Sequence, residues 1–330
     1  MFANFATMFF TAFHTNLALV PFLLQRKTFA EVRRHAQLYF WKIQEIEPEA
    51  VKELKRGIRT GKMVLIVSLM LCCPTPILLL PYRGVDYNST EHTVIMVLPY
   101  LKLPIILQHV LAAFYHMLLF GYGYFIFLYL LNWTYMILTY KLEVIILKWK
   151  IINITKELER KLTFFDIIGN TECQIVIKQR LKTWVKDHIQ LRVFAKMVIN
   201  SVKVSLFFHV FSGIILITTL SYILLLHNGG TNPGAMLLEL IGALYLATFY
   251  AIWAEIFSYQ NELLHEAISA APWNCFDKGN SMTTLIMYCN LGKRLYLSAG
   301  DIFVGNFQLY VWVLEKVVNL LSALKLMDQR

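Results

Sequence analysis

The chain has 330 residues, of which 57% are hydrophobic, 14% aromatic and only 16% charged, and it carries a formal net charge of +10. Soluble globular proteins have about 25% charged residues. With a mean hydropathy of +0.53, this chain holds more apolar material than one water-exposed core needs, gathered in long runs that a soluble fold excludes.

The first run, Phe2 to Leu24, is long enough to cross a bilayer, since about 20 apolar residues span ~30 Å of hydrocarbon. It lacks the basic start and small-residue cleavage pattern of a signal peptide, so it is expected to be retained. Segment 28–60 is predicted helical, with Phe29, Val32, Ala36, Tyr39, Phe40 and Ile43 on a loose apolar stripe. Pro48, between Glu47 and Glu49, is expected to open a second short helix, because proline suits the first helical position. Further spans are predicted at 62–82 and 105–131. The third apolar run continues to Leu147, about 43 residues or roughly 65 Å as one helix. The spacing favours one helix that crosses and then projects from the bilayer over one broken at Gly121-Tyr122-Gly123. From Ile177, bulky residues recur at Leu181, Trp184, His188, Leu191, Ala195 and Val198, which predicts a helix with a packing face. Spans at 203–227 and 235–257 follow. Gly121, Gly123 and Gly213 are expected to permit close helix packing within the membrane.

The last helix, predicted over Ile302 to Met327, carries a narrow polar line. Gln308, Glu315, Asn319 and Ser322 fall within an arc of roughly 60°. Val313, Leu314, Val317, Leu320, Leu321 and Leu324 cover the other side. A central charge costs about 2.5–3.5 kcal/mol on insertion scales, so the line is expected to border protein or water and not lipid.

Basic residues set the orientation. Segments 25–62, 141–203 and 258–294 hold ten, thirteen and three Lys or Arg, against two in 83–104 and none in 227–234. The positive-inside rule makes the rich segments cytoplasmic and puts both termini outside. The excess charge is thereby a topology signal, and no nucleic-acid partner is expected. Asn88-Ser89-Thr90 falls in a predicted outer loop, which makes Asn88 a glycosylation candidate. The five cysteines form no CxxC pair and no zinc spacing, so reduced thiols are expected. No HxxH, HxxxH, HExxH, phosphate-loop or nucleophile-elbow motif is present, and no metal, cofactor or enzymatic activity is implied. His109 and His116 share a face of the third span; they either line a ligand pocket or bond neighbouring helices. Glu239 and Glu255, near the two ends of the fifth span, are expected to reach water. The fold class is all-α: a polytopic membrane bundle of six spans with long cytoplasmic helical extensions.

From the third span onward the sequence resembles the insect odorant receptors. His188-Ile189-Gln190-Leu191-Arg192-Val193-Phe194-Ala195 is similar to that family's His-x-x-Leu-x-x-Phe-Ala stretch. Tyr259-Gln260-Asn261-Glu262, then Ala267 through Trp273, and Leu297-Ser298-Ala299-Gly300 resemble its later motifs in the same order and at the same intervals. The resemblance implies a tuning subunit that joins an odorant co-receptor in a heterotetramer. It implies a ligand-gated non-selective cation channel in the plasma membrane of olfactory sensory neurons, opened by a small volatile organic ligand. The family has seven spans; the first span here matches its second, so its first helix is expected to be missing. The co-receptor's large inner-loop insertion has no room in 141–203, and the gustatory signature of the last helix is absent. The alternatives are a transporter, which should show internal repeats and broken helices, or a truncated receptor that does not conduct.

The resemblance divides the chain into a bundle (1–257) with an outer-half ligand pocket, an anchor region (258–301) and a pore-lining helix (302–330). It places ligand contacts in the outer halves, where the candidates are Phe9, Phe13, Cys73, Leu79, His109, Phe114, Ala243 and Tyr245. Glu315 would attract permeating cations, as acidic rings do. Asn319 and Ser322 would offer hydration, and Ala323 and Met327 match the family's narrow apolar gate. Lys316 is expected to meet a neighbouring subunit.

Overall fold

The computed structural model describes residues 23, 25–40, 48–72, 104–160, 162–226, 233–292 and 295–328. The span predicted at 2–24, apart from Leu23, and the 73–82 part of the span predicted at 62–82 therefore lie outside the described residues, as do Phe9, Phe13, Ile43, Cys73, Leu79 and Asn88. The described helices are α1 (Arg26–Tyr39), α2 (Pro48–Cys72), α3 (Ile105–Ile152), α4 (Lys156–Glu159), α5 (Phe164–Gly169), α6 (Thr171–Leu226), α7 (Pro233–Ser269), α8 (Lys278–Leu291) and α9 (Phe307–Asp328). A two-stranded hairpin, β1 (Ser298–Ala299) and β2 (Phe303–Val304), precedes α9. Among the described residues, Tyr124–Glu159, Thr171–Leu225 and Leu237–Ser269 are long and apolar enough to cross a membrane. The chain is a membrane helix bundle whose helices continue well beyond the spans.

Length follows from the absence of breakers. α3 runs 48 residues without interruption, about 72 Å. Gly121 does not break it, because one helical glycine costs only about 1 kcal/mol. α6 joins the predicted inner helix to the fourth span as one rod of 56 residues. Every residue of the stripe Ile177, Leu181, Trp184, His188, Leu191, Ala195 and Val198 is buried. The indole of Trp184 donates to the Leu147 carbonyl at 2.8 Å, which ties α6 to α3, and its ring stacks on His188 of α6. Higher up, Tyr140 of α3 stacks on Phe257 of α7 at 4.5 Å. In α1, Phe29, Val32, Ala36 and then Phe40 are buried as expected, but Tyr39 is half exposed.

Two boundaries differ from the sequence reading. Pro48 opens no separate short helix: α2 continues from it into the predicted second span, since Gly57 and Gly61 are positions of contact and not of termination. At Gly57 and Gly61 a side chain would meet Leu142 and Leu138 of α3, and together with Ala50 and Ser68 they form the buried face. Close packing through small residues thus occurs here. It does not occur at Gly121 or Gly213, where an added Cβ would meet nothing within 4 Å. The second correction concerns the last helix, which begins at Phe307 and not Ile302. Residues 302–305 are apolar enough to suit a helix, but they are taken by the hairpin.

Below the spans, one amide joins three segments. Gln174 at the foot of α6 donates to the carbonyls of Ile167 (2.9 Å) and Cys275 (2.8 Å). Its oxygen accepts from the Asp277 amide and the Asn280 side chain, both at 2.9 Å. Asp277 in turn caps α8 by accepting from the Asn280 amide at 2.7 Å. Gln174 and Asn280 are buried, so the network is shielded from water.

Candidate functional site

The last helix is fixed at its foot before it is exposed along its length. Ser298 pairs with Val304 and Ala299 with Phe303, and Gly300 and Asp301 turn the chain at φ +64° and +59°. At Gly300 a Cβ would lie 2.7 Å from a ring carbon of Phe207, so both conformation and space demand glycine. Asp301 is among the few side chains that tolerate the left-handed region. Its carboxylate pairs with Lys203 of α6 and accepts from Ser298 at 3.0 Å. The Lys203 ammonium, then the Ser298 hydroxyl, hold the Asp301 carboxyl below the usual carboxylate range. The Gly300 amide donates to the Lys203 carbonyl at 3.0 Å, and the Gly305 amide to Leu297 at 2.7 Å. Asn306 then caps α9 by accepting from the Leu309 amide at 2.9 Å. Glu255, at the inner end of the fifth span, accepts weakly from the Phe307 amide at 3.5 Å. The negative carboxylate sits at the positive end of the helix dipole. Sequence reasoning gave Glu255 only the role of reaching water.

Above that foot, α9 lies against α6 and α7. Val313 and Val317 are buried, while Gln308, Glu315, Asn319 and Ser322 are exposed on the other side of the helix. The polar line is thus directed away from the subunit's own core. Leu320 departs from the expected apolar side, being exposed at 45%. Ala323 and Met327 are exposed as well. The Ser322 hydroxyl donates to the Val318 carbonyl at 2.9 Å, so toward solvent it serves as an acceptor. Lys316 lies over the Trp312 ring at 5.4 Å. Lys316 and Asn319 border an open groove that Phe211, Ile214 and Ile215 of α6 complete.

Between α9, α6 and α7 lies a small cavity of about 60 Å³. Gly213, Ala243, Ala247, Tyr250, Tyr310 and Val313 are among the residues that border it. An engineered cavity of about 150 Å³ admits benzene, so this one is too small for a ring in the described state. Its polar corner is His209 Nε2 and Tyr250 Oη, 3.1 Å apart. The tilted rings of Tyr129 and Trp133 of α3 lie against them, 5.5 Å from His209 and 5.0 Å from Tyr250, and Tyr129 donates to Ser205 at 2.7 Å. On the α9 side, Thr248 donates to Tyr310 Oη at 3.2 Å.

Of the residues expected to bind ligand, Ala243 lines this cavity. Tyr245 does not; its hydroxyl bonds Ser68 of α2 at 2.8 Å. Two residues apart on a helix lie roughly 200° apart, so the two cannot share one wall. Phe114 is 58% exposed on α3. The side chains of His109 and His116 lie outside the described residues. His209 and Tyr250 were missed because they are far apart in sequence and neither belongs to a local motif. Among the described residues no group of three or more His, Cys, Asp or Glu is placed to hold a metal ion.

No family model matches the sequence, and no curated protein matches it either. Solved structures do. The insect olfactory receptor OR5 from Machilis hrabei in complex with eugenol aligns over 98% of this chain and 81% of that one, with a TM-score of 0.66 at 10% identity. The structure of the same receptor not described as bound to eugenol aligns over 98% and 80%, with a TM-score of 0.57 at 9% identity. The fold is that of the insect olfactory receptors.

Proposed function

We propose that the chain is a tuning odorant-receptor subunit of a ligand-gated non-selective cation channel in the plasma membrane, assembled with an odorant co-receptor as a heterotetramer. One observation carries the reading: α9 buries Val313 and Val317 and turns Glu315, Asn319 and Ser322 outward. Polar side chains on a membrane helix need water or protein beside them, and a central conduit shared by four copies of such a helix supplies water. Glu315 concentrates cations at that conduit, Asn319 and Ser322 hydrate them, and Ala323 and Met327 narrow it. The segment 258–301 serves as the cytoplasmic anchor between subunits.

The ligand is a small, mostly apolar volatile, held by burial and shape with few polar contacts. The solved relative bound to eugenol supports that class. The proposed contacts are Phe9, Phe13, Cys73, Leu79, His109 and Phe114, with Ala243 or Tyr245 from α7, which face opposite sides of that helix. Ala243 and Val313 border the same cavity, so a ligand that shifts α7 at Ala243 acts on space that α9 also borders. Opening follows if ligand binds the state with splayed last helices more tightly. Co-expression with an odorant co-receptor in oocytes, with surface labelling of the subunit, tests this under voltage clamp. Inward current evoked by a volatile is the expected result. No current from a surface-expressed subunit across a broad odorant panel contradicts it, and current coupled to a solute gradient would mark a transporter.

A further inference from the structure

The exposed face of α2 changes character abruptly along its length. Lys52, Lys55, Arg56, Arg59 and Lys62 are all exposed and fall within an arc of roughly 120°. Met63, Ile66, Val67 and Met70 continue that same arc and are exposed at 58%, 41–49% and 67% in turn. The opposite face, Ala50, Gly57, Gly61 and Ser68, is buried. One side of one helix therefore passes from five cations to bare hydrocarbon between adjacent residues. α3 carries its first charged residue, Lys141, at the same height. Gly61 faces Leu138, and Gly57 faces Leu142 with Lys141 beside it. Two helices thus place the inner edge of the hydrocarbon just above Lys62.

The five cations are unspent. Among the described residues none of them makes an ion pair, whereas Glu53 on the flank of the helix is taken by Lys148 and the Trp149 indole. Lys62, Arg59 and Arg56 lie within about 9 Å of that edge along the helix, close to one Debye length at physiological salt (~8 Å). The face also lies away from α9, which packs on α6 and α7, whereas α2 packs on α3 and touches α7 through Ser68 and Tyr245.

We propose that this face of α2 is a binding site for an anionic phospholipid of the inner leaflet. Arg56, Arg59 and Lys62 hold its phosphorylated headgroup, and Met63, Ile66 and Met70 lie along its acyl chains. The inference needs only a membrane location and stands whether or not the chain conducts ions. Guanidinium groups supply forked donors to phosphate oxygens, and the apolar continuation selects a lipid over a soluble phosphate.

The test uses the full chain in detergent micelles with a fluorescent phosphatidylinositol bisphosphate, read by anisotropy. Each cation near an anionic surface contributes about a fivefold factor, so R56Q/R59Q/K62Q should weaken binding by roughly a hundredfold. K178Q/K182Q/K186Q removes three exposed cations from the far end of α6 and should change it by less than about threefold. R56K/R59K/K62R keeps the charge and should restore most of the affinity, which separates a binding defect from a folding one. Unchanged binding in the first variant overturns the proposal, as does equal loss in the first two. So does competition by free inositol trisphosphate as strong as that by unlabelled lipid, because the acyl contacts would then contribute nothing.

Discussion

Replacing Gly300 by alanine should loosen the foot of the last helix. Two costs add at this position. Gly300 sits at φ +64°, where an L side chain costs roughly 1–2 kcal/mol. The new methyl would lie 2.7 Å from one ring carbon of Phe207 and 3.1 Å from another, and overpacking of this kind costs typically 1–3 kcal/mol. The expected loss is about 2–5 kcal/mol, read as a lowered unfolding midpoint of the purified chain in detergent. A double-mutant cycle separates the two costs. In a Phe207→Ala background the clash is absent, so Gly300→Ala should cost only the conformational part, about 1–2 kcal/mol. Equal costs in both backgrounds would show that Phe207 does not press on the turn. A native-like midpoint for Gly300→Ala alone would refute the left-handed hairpin.

Three further outcomes are expected. Gln174→Leu should destabilise the α5–α6–α8 junction by about 3 kcal/mol or more, because the carbonyls of Ile167 and Cys275 and the donors of Asp277 and Asn280 lose a shared partner in a buried place; amide hydrogen exchange of α8 should accelerate with it. Gly213→Ala should stabilise by roughly 0.5–1 kcal/mol, since the methyl enters open space on the cavity and the helix gains propensity; a lowered thermal midpoint would mean that α7 or α9 closes on that position. Glu315→Gln should lower divalent permeation relative to monovalent, seen as a shifted reversal potential in calcium-rich solution, and unchanged selectivity would remove Glu315 from the conduction path.

Periodicity carried much of the fold. The buried stripe on α6 from Ile177 to Val198 was legible because seven bulky residues at helical spacing leave one face with nowhere to go but the core. The continuity of α3 was legible because no proline interrupts it. What failed were features that depend on partners. Gly57 and Gly61 meet α3 whereas Gly121 and Gly213 meet nothing, and composition alone cannot say which glycine faces a neighbour. The true start of α9 depends on a left-handed Gly300-Asp301 turn held by Lys203, a contact 98 residues away in sequence. Periodicity extended the helix to Ile302 because it weighs apolar residues and not turn conformation. At the candidate site, the exposed polar line on α9 could be read from spacing, but the cavity behind it could not. It exists where Gly213, Ala243 and Ala247 leave space between three helices, and its polar corner joins His209 to Tyr250 across 41 residues.

The account rests on water beside the outward face of α9. Single cysteines at Glu315, Asn319 and Val317, each co-expressed with an odorant co-receptor, can be exposed to a cationic thiol-reactive reagent, a quaternary-ammonium methanethiosulfonate, while ligand holds the channel open. Glu315→Cys and Asn319→Cys should be modified and their current blocked, while Val317→Cys, at a position 5% exposed against α6 and α7, should stay unmodified. Rapid modification at Val317 with inert cysteines at 315 and 319 would turn the helix the wrong way round and contradict the proposed pore.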